Sequence, residues 1–198
     1  MIQGDAEWLA VKAGVISGSR FGDVLALNKR NGTPNKPRRD LIANLRRELQ
    51  TGVLTPMEVN EYMAHGSRME PLAFAAYEFL AGCDVQHVAW LPHPDLDYIG
   101  FSPDGLVGDD GIIEIKSPFL EARHTRTVES RKCPDDYYPQ CQSGLWVTGR
   151  QWCDFVSYFP SISVEIVRVH RDEAFIQKLA AECAAVWQQV QSNEELAA

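Results

Sequence analysis

Nothing in this chain of 198 residues approaches the ~18 consecutive apolar residues of a membrane-spanning helix. The opening Met1-Ile2-Gln3-Gly4-Asp5 has neither the basic nor the apolar region of a secretory leader. Cysteine is sparse and unpatterned: the five, at 83, 133, 141, 153 and 183, make an odd count with no C-x-x-C pair. That argues against a disulfide framework and an iron–sulfur cluster, and for free buried thiols in a reducing compartment. Nor do the five histidines form H-E-x-x-H or a related pattern, so a histidine-rich zinc site is not expected. Internal repeats, low-complexity tracts and long linkers are also missing. These absences leave a cytoplasmic protein without membrane contact, a single domain over 1–198, at 45% hydrophobic and 23% charged residues.

Positive charge is in deficit too, with a formal net charge of -8. That disfavours a protein that coats nucleic acid over its whole surface, but not one with a local basic groove. "NKRNGTPNKPRRD", residues 28–40, carries Lys29, Arg30, Lys36, Arg38 and Arg39, with Arg46 and Arg47 soon after. It reads equally as a solvated loop or a phosphate-contacting one.

Periodicity places the elements. Asp5 caps a short amphipathic helix over 5–13 that Gly14 ends, and a small-residue turn leads into a second helix. Gly32, Pro34 and Pro37 mark a loop, and Asp40 to Gln50 is helical with Leu41, Leu45 and Leu49 on one face. Thr55-Pro56-Met57-Glu58 is a capping box that predicts a helix start, Gly66 and Pro71 interrupt the pattern, and a further helix runs to about Leu80 and stops at Gly82. Strands follow at 85–91, within 98–108 and at 112–116, with Asp110-Gly111 as a hairpin turn signal. A helix containing Tyr138 to Trp146, strands at 151–159 and 163–170, and a helix from about Asp172 to Gln191 complete the chain. The last helix has an apolar stripe of Phe175, Ile176, Leu179, Cys183, Val186, Trp187 and Val190. The order predicts an α/β (α+β) fold with a central mixed sheet flanked by helices.

The stretch "GFSPDGLVGDDGIIEIKSPF", 100–119, holds the chemistry. Glu114 and Lys116 are two apart in a strand and share a face, about 7 Å apart, while Ile113 and Ile115 face apolar packing. The turn gives Asp104 a route to Glu114. Two carboxylates held together repel, and a divalent cation such as Mg²⁺ removes that cost while making a hydroxide nucleophile available near neutral pH. Lys116 beside it could orient a nucleophile or stabilise transition-state charge. A surface hairpin with an ordinary Glu–Lys ion pair accounts for the same letters.

Asp, then about ten residues, then Glu-x-Lys resembles the core of the restriction-endonuclease-like nuclease superfamily. Within it the chain resembles the lambda-exonuclease and YqaJ-like viral recombinase family, through "WLAVKAGVISGS" (8–19), "HGSRMEPLA" (65–73), "FSPDGLVGDDGIIEIKSPF" (101–119) and "YYPQCQSGLWVTGRQWCDFVSY" (137–158). Carried over by position, the resemblance implies Asp104 and Glu114 as metal ligands with the Ile115 carbonyl, Lys116 as catalytic lysine, Glu70 as a further acid and Gln140 as the active-site glutamine. Gln142 lies about 200° further round the helix, so both glutamines cannot face the site. Ser19 and Ser102 would hold a terminal 5′-phosphate, with Lys12 where the family places arginine and Arg20 adjacent; lysine supplies a point charge without the fork.

The resemblance further implies a Mg²⁺-dependent 5′→3′ exonuclease on double-stranded DNA ends, with Mn²⁺ substituting and two ions per site. It would release mononucleotides and leave a 3′ overhang. It also implies a ring-shaped homotrimer and a single-strand annealing protein as recombination partner. An endonuclease on the same fold and a catalytically inactive DNA-end-binding module are the rivals; the complete set of Asp104, Glu114 and Lys116 argues against the second.

Overall fold

The Asp5 carboxylate accepts the N–H of Trp8 at 2.7 Å, and the helix it caps, α1, runs Ala6–Lys12. The structure, a computed structural model, describes residues 1–56 and 58–192. After α1 come α2 (Arg20–Val24) and α3 (Lys36–Thr51). Helix α3 starts earlier than the sequence suggested. Pro37 lies in its first turn, where a missing N–H costs no hydrogen bond. Leu41 and Leu45 are buried along its inner face, whereas Leu49 near its end is exposed.

Helix α4 (Glu61–Ala81) departs furthest from expectation. The capping box at 55–58 does not begin it; Met57 lies outside the described residues, and the Thr55 N–H donates instead to Glu48 Oε1 at 2.8 Å. Asn60 caps the helix by accepting from Met63 N at 2.9 Å. Gly66 and Pro71 do not interrupt it. Pro71 is exposed and cannot donate to the Ser67 carbonyl, but Ser67 lies against an open cleft where another donor can reach it.

The segment 85–91 is not one strand. Val85–Gln86 (β1) joins the main sheet, and Leu91–Pro92 (β2) pairs antiparallel with Gly100–Phe101 (β3) in a separate two-stranded sheet. Gly105–Val107 (β4) and Gly111–Lys116 (β5) form a hairpin whose turn, 108–110, holds Gly108 at φ 50. Helices α5 (Glu121–Ser130) and α6 (Tyr138–Thr148), strands β6 (Trp152–Phe159) and β7 (Ser163–His170), and helix α7 (Glu173–Gln191) follow. The main sheet has the order β1-β4-β5-β6-β7; β5 and β6 are parallel and its other pairs antiparallel. This is the mixed sheet flanked by helices that the sequence predicted.

Alternation along β5 and β6 builds two cores. Ile112, Cys153 and Phe155 face a cluster with α2, α3, α6 and α7 that takes in the α7 stripe. Ile113, Ile115 and Val156 face α4 through Ala73 and Tyr77. Helix α6 seats against the first face at Gly144, where an added Cβ would lie 2.5 Å from Ile112 and 2.7 Å from Phe101. Helix α5, which sequence periodicity did not reveal, buries only His124 and Thr127. The two His124 ring nitrogens sit 2.9 Å from Ser157 Oγ and 2.9 Å from Ser163 Oγ.

Candidate active site

The hairpin register sets the centre. Gly105 opposes Ile113, so one residue further Asp104 stands across from Glu114. The Asp104 carboxylate is held there by the Ile115 N–H, which donates to Oδ2 at 2.6 Å. Glu114 is completely buried, and Lys116, on the same face, donates to its Oε1. The other oxygen, Oε2, is buried with no hydrogen-bond partner among the described residues. Such an orphaned carboxylate oxygen is costly unless a cation meets it.

Burial raises the Glu114 carboxyl to about 7; Asp104 and Glu70 push the same way, while the Lys116 ammonium opposes them. Asp104 is raised as well, by burial, against Lys116 and the Ile115 N–H. Burial works to lower Lys116, but Glu114 and Asp104 outweigh it and hold its pKa above the ordinary value. Glu70, on α4, is raised by desolvation at the cleft wall and by the Asp104 charge. Glu70, Asp104, Ile115, Lys116, Arg123 and Tyr137 line one open cavity of ≈ 460 Å³. Among the described residues no three His, Cys, Asp or Glu side chains converge into a closed protein cage. Two carboxylates and a nearby main-chain carbonyl suit a hard cation that keeps part of its water shell, and Glu114 Oε2 is the ligand atom left over for it.

Gln140 lies one turn into α6 from Tyr137 and is not among the residues that line this cavity. Gln142 is committed elsewhere. It donates to the His170 carbonyl at 2.8 Å and accepts the Asp172 N–H at 2.9 Å, tying α6 to the β7–α7 junction.

Lys12, Ser19 and Arg20 gather in a second hollow, also of ≈ 460 Å³, between α1, α2 and α3. Ser17 lines it too, with a buried hydroxyl that has no hydrogen-bond partner among the described residues. Burial, and then the Arg20 charge, lower Lys12 to about 8. The Arg20 guanidinium is already engaged: it donates to Glu48 Oε2 at 2.9 Å and Oε1 at 2.5 Å, and to the Val15 carbonyl at 2.9 Å. Ser102 is outside this hollow but joined to it through Trp8. The indole N–H donates to Ser102 Oγ at 2.8 Å, and Lys12 Nζ lies 3.7 Å from the ring centroid. Trp8, Ser17 and Tyr137 were not singled out from the sequence. All three fall inside the motif blocks, but only tertiary contacts give them a task.

The basic stretch divides. Arg38 donates to Glu182 and to the Val24 carbonyl, Arg39 to the Pro34 carbonyl, and Arg46 to main-chain carbonyls at the end of α7. Lys29 and Arg30 stand exposed at the turn.

Residues 7–151 match the YqaJ-like viral recombinase domain. The chain belongs to the YqaJ-like viral recombinase family. This is a nuclease family, and nucleases of its fold generally depend on a divalent metal. The chain is similar to the alkaline exonuclease LHK-Exo of Laribacter hongkongensis, with 35% identity, a TM-score of 0.84, and coverage of 94% of this chain and 93% of that one. A second structure, LHK-Exo in complex with dAMP, matches at 34% identity and a TM-score of 0.85, with the same coverage of 94% and 93%. A phage-related exonuclease from Haemophilus somnus 129PT shares the fold, at 13% identity and a TM-score of 0.68 over 89% of this chain and 93% of that one. Uncharacterized protein R354 of Acanthamoeba polyphaga mimivirus is 28% identical over 113 residues, 51% of this chain. The match spans only 21% of the length of that viral relative. The fold of this YqaJ-like protein is thus the restriction-endonuclease-like nuclease fold.

Proposed function

We propose that this chain is a Mg²⁺-dependent exonuclease that degrades duplex DNA 5′→3′ from its ends. It releases mononucleotides and leaves a 3′ overhang. The observation that carries the reading is the buried, unpartnered Glu114 Oε2 behind an open cleft that Asp104, opposite it, and Lys116, beside it, both line. A cation site paired with a fixed ammonium suits hydrolysis of a monoanionic phosphodiester, because both stabilise the charge that builds on the phosphoryl oxygens in the transition state. Asp104, Glu114 and the Ile115 carbonyl would hold the metal, with two ions per site, Glu70 as the additional acid and Mn²⁺ able to substitute. Bound there, a divalent cation supplies Lewis-acid stabilisation of charge on the phosphoryl oxygens.

The chain's own residues do the rest. Glu114 orients Lys116, whose raised pKa keeps it cationic for hydrogen bonding to a phosphate oxygen. Tyr137 borders that ammonium, its ring centroid 5.4 Å from Nζ, and Gln140, in the first turn of α6 just outside the cavity lining, would act as a substrate-orienting residue. Lys12, Ser19 and Ser17 offer a cation and hydroxyls for a terminal phosphate. Arg20 shapes that hollow through Glu48, and Trp8 relates it to Ser102, two residues from Asp104. A phosphate anchor tied through Trp8 and Ser102 to the segment that carries Asp104 supports 5′→3′ polarity. The dAMP complex of LHK-Exo supports a mononucleotide product.

The wider reading is a single nuclease domain that assembles as a homotrimeric ring around DNA. It acts in the cytoplasm and passes its overhang to a single-strand annealing protein. Linear duplex labelled separately at 5′ and 3′ ends, with and without Mg²⁺, tests the core of it. The expected result is Mg²⁺-dependent loss of the 5′ label as mononucleotide. Attack solely from 3′ ends would overturn the polarity, and cutting of covalently closed duplex would favour an endonuclease.

A further inference from the structure

The cleft above Asp104 and Lys116 has a rim that phosphate chemistry does not use. Tyr62, in the first turn of α4, is 58% exposed; Phe119 and Leu120, just past β5, are 39% and 52% exposed. The Tyr62 and Phe119 rings meet edge to face with centroids 5.0 Å apart, and the His65 and Phe119 rings do so at 5.4 Å. A T-shaped contact covers a face of only one of its two rings, so this cluster keeps aromatic face available for a planar ligand.

All three exposed side chains line the same ≈ 460 Å³ cavity as Asp104, Lys116 and Arg123. That volume falls within the range of small-molecule pockets, roughly 300–1,000 Å³. Its polarity is graded. The floor carries the carboxylates and the ammonium, while Tyr62, Phe119 and Leu120 present apolar surface with no cation among them. A nucleotide has the same grading, a phosphate at one end and a flat π-system at the other.

We propose that Tyr62 and Phe119 form the subsite for the nucleobase of the terminal nucleotide being released, whose 3′ scissile phosphodiester lies at the Asp104–Lys116 floor while its 5′-phosphate lies in the Lys12–Ser19 hollow. This rests on the DNA-exonuclease reading and adds to it a requirement for a base. Stacking is tolerant of base identity because every base has a π-face, so the subsite demands a base without choosing one. The Tyr62 and His65 rings both pack against Phe119 at steep angles and so fix its position.

The test compares 5′-phosphorylated duplexes that differ only at the terminal nucleotide of the cut strand, normal or abasic (tetrahydrofuran). It uses wild type, Phe119→Ala, Tyr62→Ala and Phe119→Trp. Wild type is expected to lose about tenfold in kcat/KM without the base, as typical base–aromatic stacking implies. Phe119→Ala and Tyr62→Ala lose most of that discrimination, while Phe119→Trp restores it. Taking the ratio within each protein cancels effects of the abasic end on the duplex itself. Fluorescence anisotropy of the two duplexes in EDTA should give the same ordering without turnover. An unchanged ratio in both alanine variants, or no discrimination by wild type that does degrade duplex, overturns the subsite and leaves the exonuclease reading standing. Absence of any degradation by wild type overturns both. Circular dichroism melts establish folding. Tyr62, the more exposed of the two, carries the test alone if Phe119→Ala does not fold.

Discussion

Lys12 Nζ lies 3.7 Å from the centroid of the Trp8 ring, one helical turn away on α1. The ring face holds a cation that burial and the Arg20 charge would otherwise weaken, and its N–H reaches Ser102. Trp8 therefore relates the second hollow to the strand pair that carries Asp104. Lys12→Ala should slow degradation of 5′-phosphorylated ends by about 10- to 100-fold, the scale of one charge-assisted hydrogen bond, with little change on 5′-hydroxyl ends. Trp8→Phe keeps the ring face and loses the indole donor, so its defect should be smaller. The preference for phosphate should weaken as pH rises past about 8, where Lys12 loses its proton. Initial rates on the two end types across pH check all three.

Asp104→Asn and Lys116→Ala should each abolish cleavage, by a hundredfold or more on the scale of lost electrostatic stabilisation. Their stabilities should differ. Asp104→Asn removes one of two desolvated carboxylates and should hold or raise the Tm. Lys116→Ala leaves buried Glu114 without its cation and should lower it. Retained activity in either folded variant would refute the assignment.

Mg²⁺ binding should be coupled to proton release. The Glu114 carboxyl sits at about 7 because burial and its acidic neighbours outweigh Lys116, so near neutrality a cation must displace a proton to use it. Affinity should rise as pH increases through about 7 and then level off. Calorimetry in buffers of different ionisation enthalpy should show proton release that vanishes in Glu114→Gln.

Glu48 supports the second hollow from behind. It is fully buried and accepts from Arg20, the Gly14 N–H and the Thr55 N–H. Burial alone would raise its pKa; these donors overcome that and lower it to about 2. The folded-state value lies below the unfolded one, so the stabilisation is complete above the unfolded value, about 4.3. It disappears as pH falls through about 2. Glu48→Gln should cost on the order of 3 kcal/mol at pH 7, and the gap to wild type should narrow steadily below pH about 4. Urea titrations at several pH values measure it.

What was legible depended on periodicity and motif. Glu114, Lys116 and the isoleucines between and beside them declared their faces by strand alternation, and the α7 stripe matched its buried side. Helix α5 was not legible because EARHTRTVES has no apolar stripe; it is held by His124 between two serines from β6 and the segment that opens β7. The start of α4 was misplaced because Thr55, a good cap by type, was recruited by Glu48 seven residues back. Local propensity yields to a buried carboxylate that needs donors.

By itself, the sequence determined the family, the mixed sheet with its flanking helices, and the shared face of Glu114 and Lys116. These depend on spacing within one element or on an ordered set of motifs. Only the tertiary structure decided that Asp104 stands across from Glu114, that Gln142 ties α6 to the β7–α7 junction, that Arg20 belongs to Glu48, and that Trp8 links Lys12 to Ser102. Each of these pairs residues from different elements. Which donor meets which acceptor is settled by packing and desolvation, and neither can be read along one strand or helix.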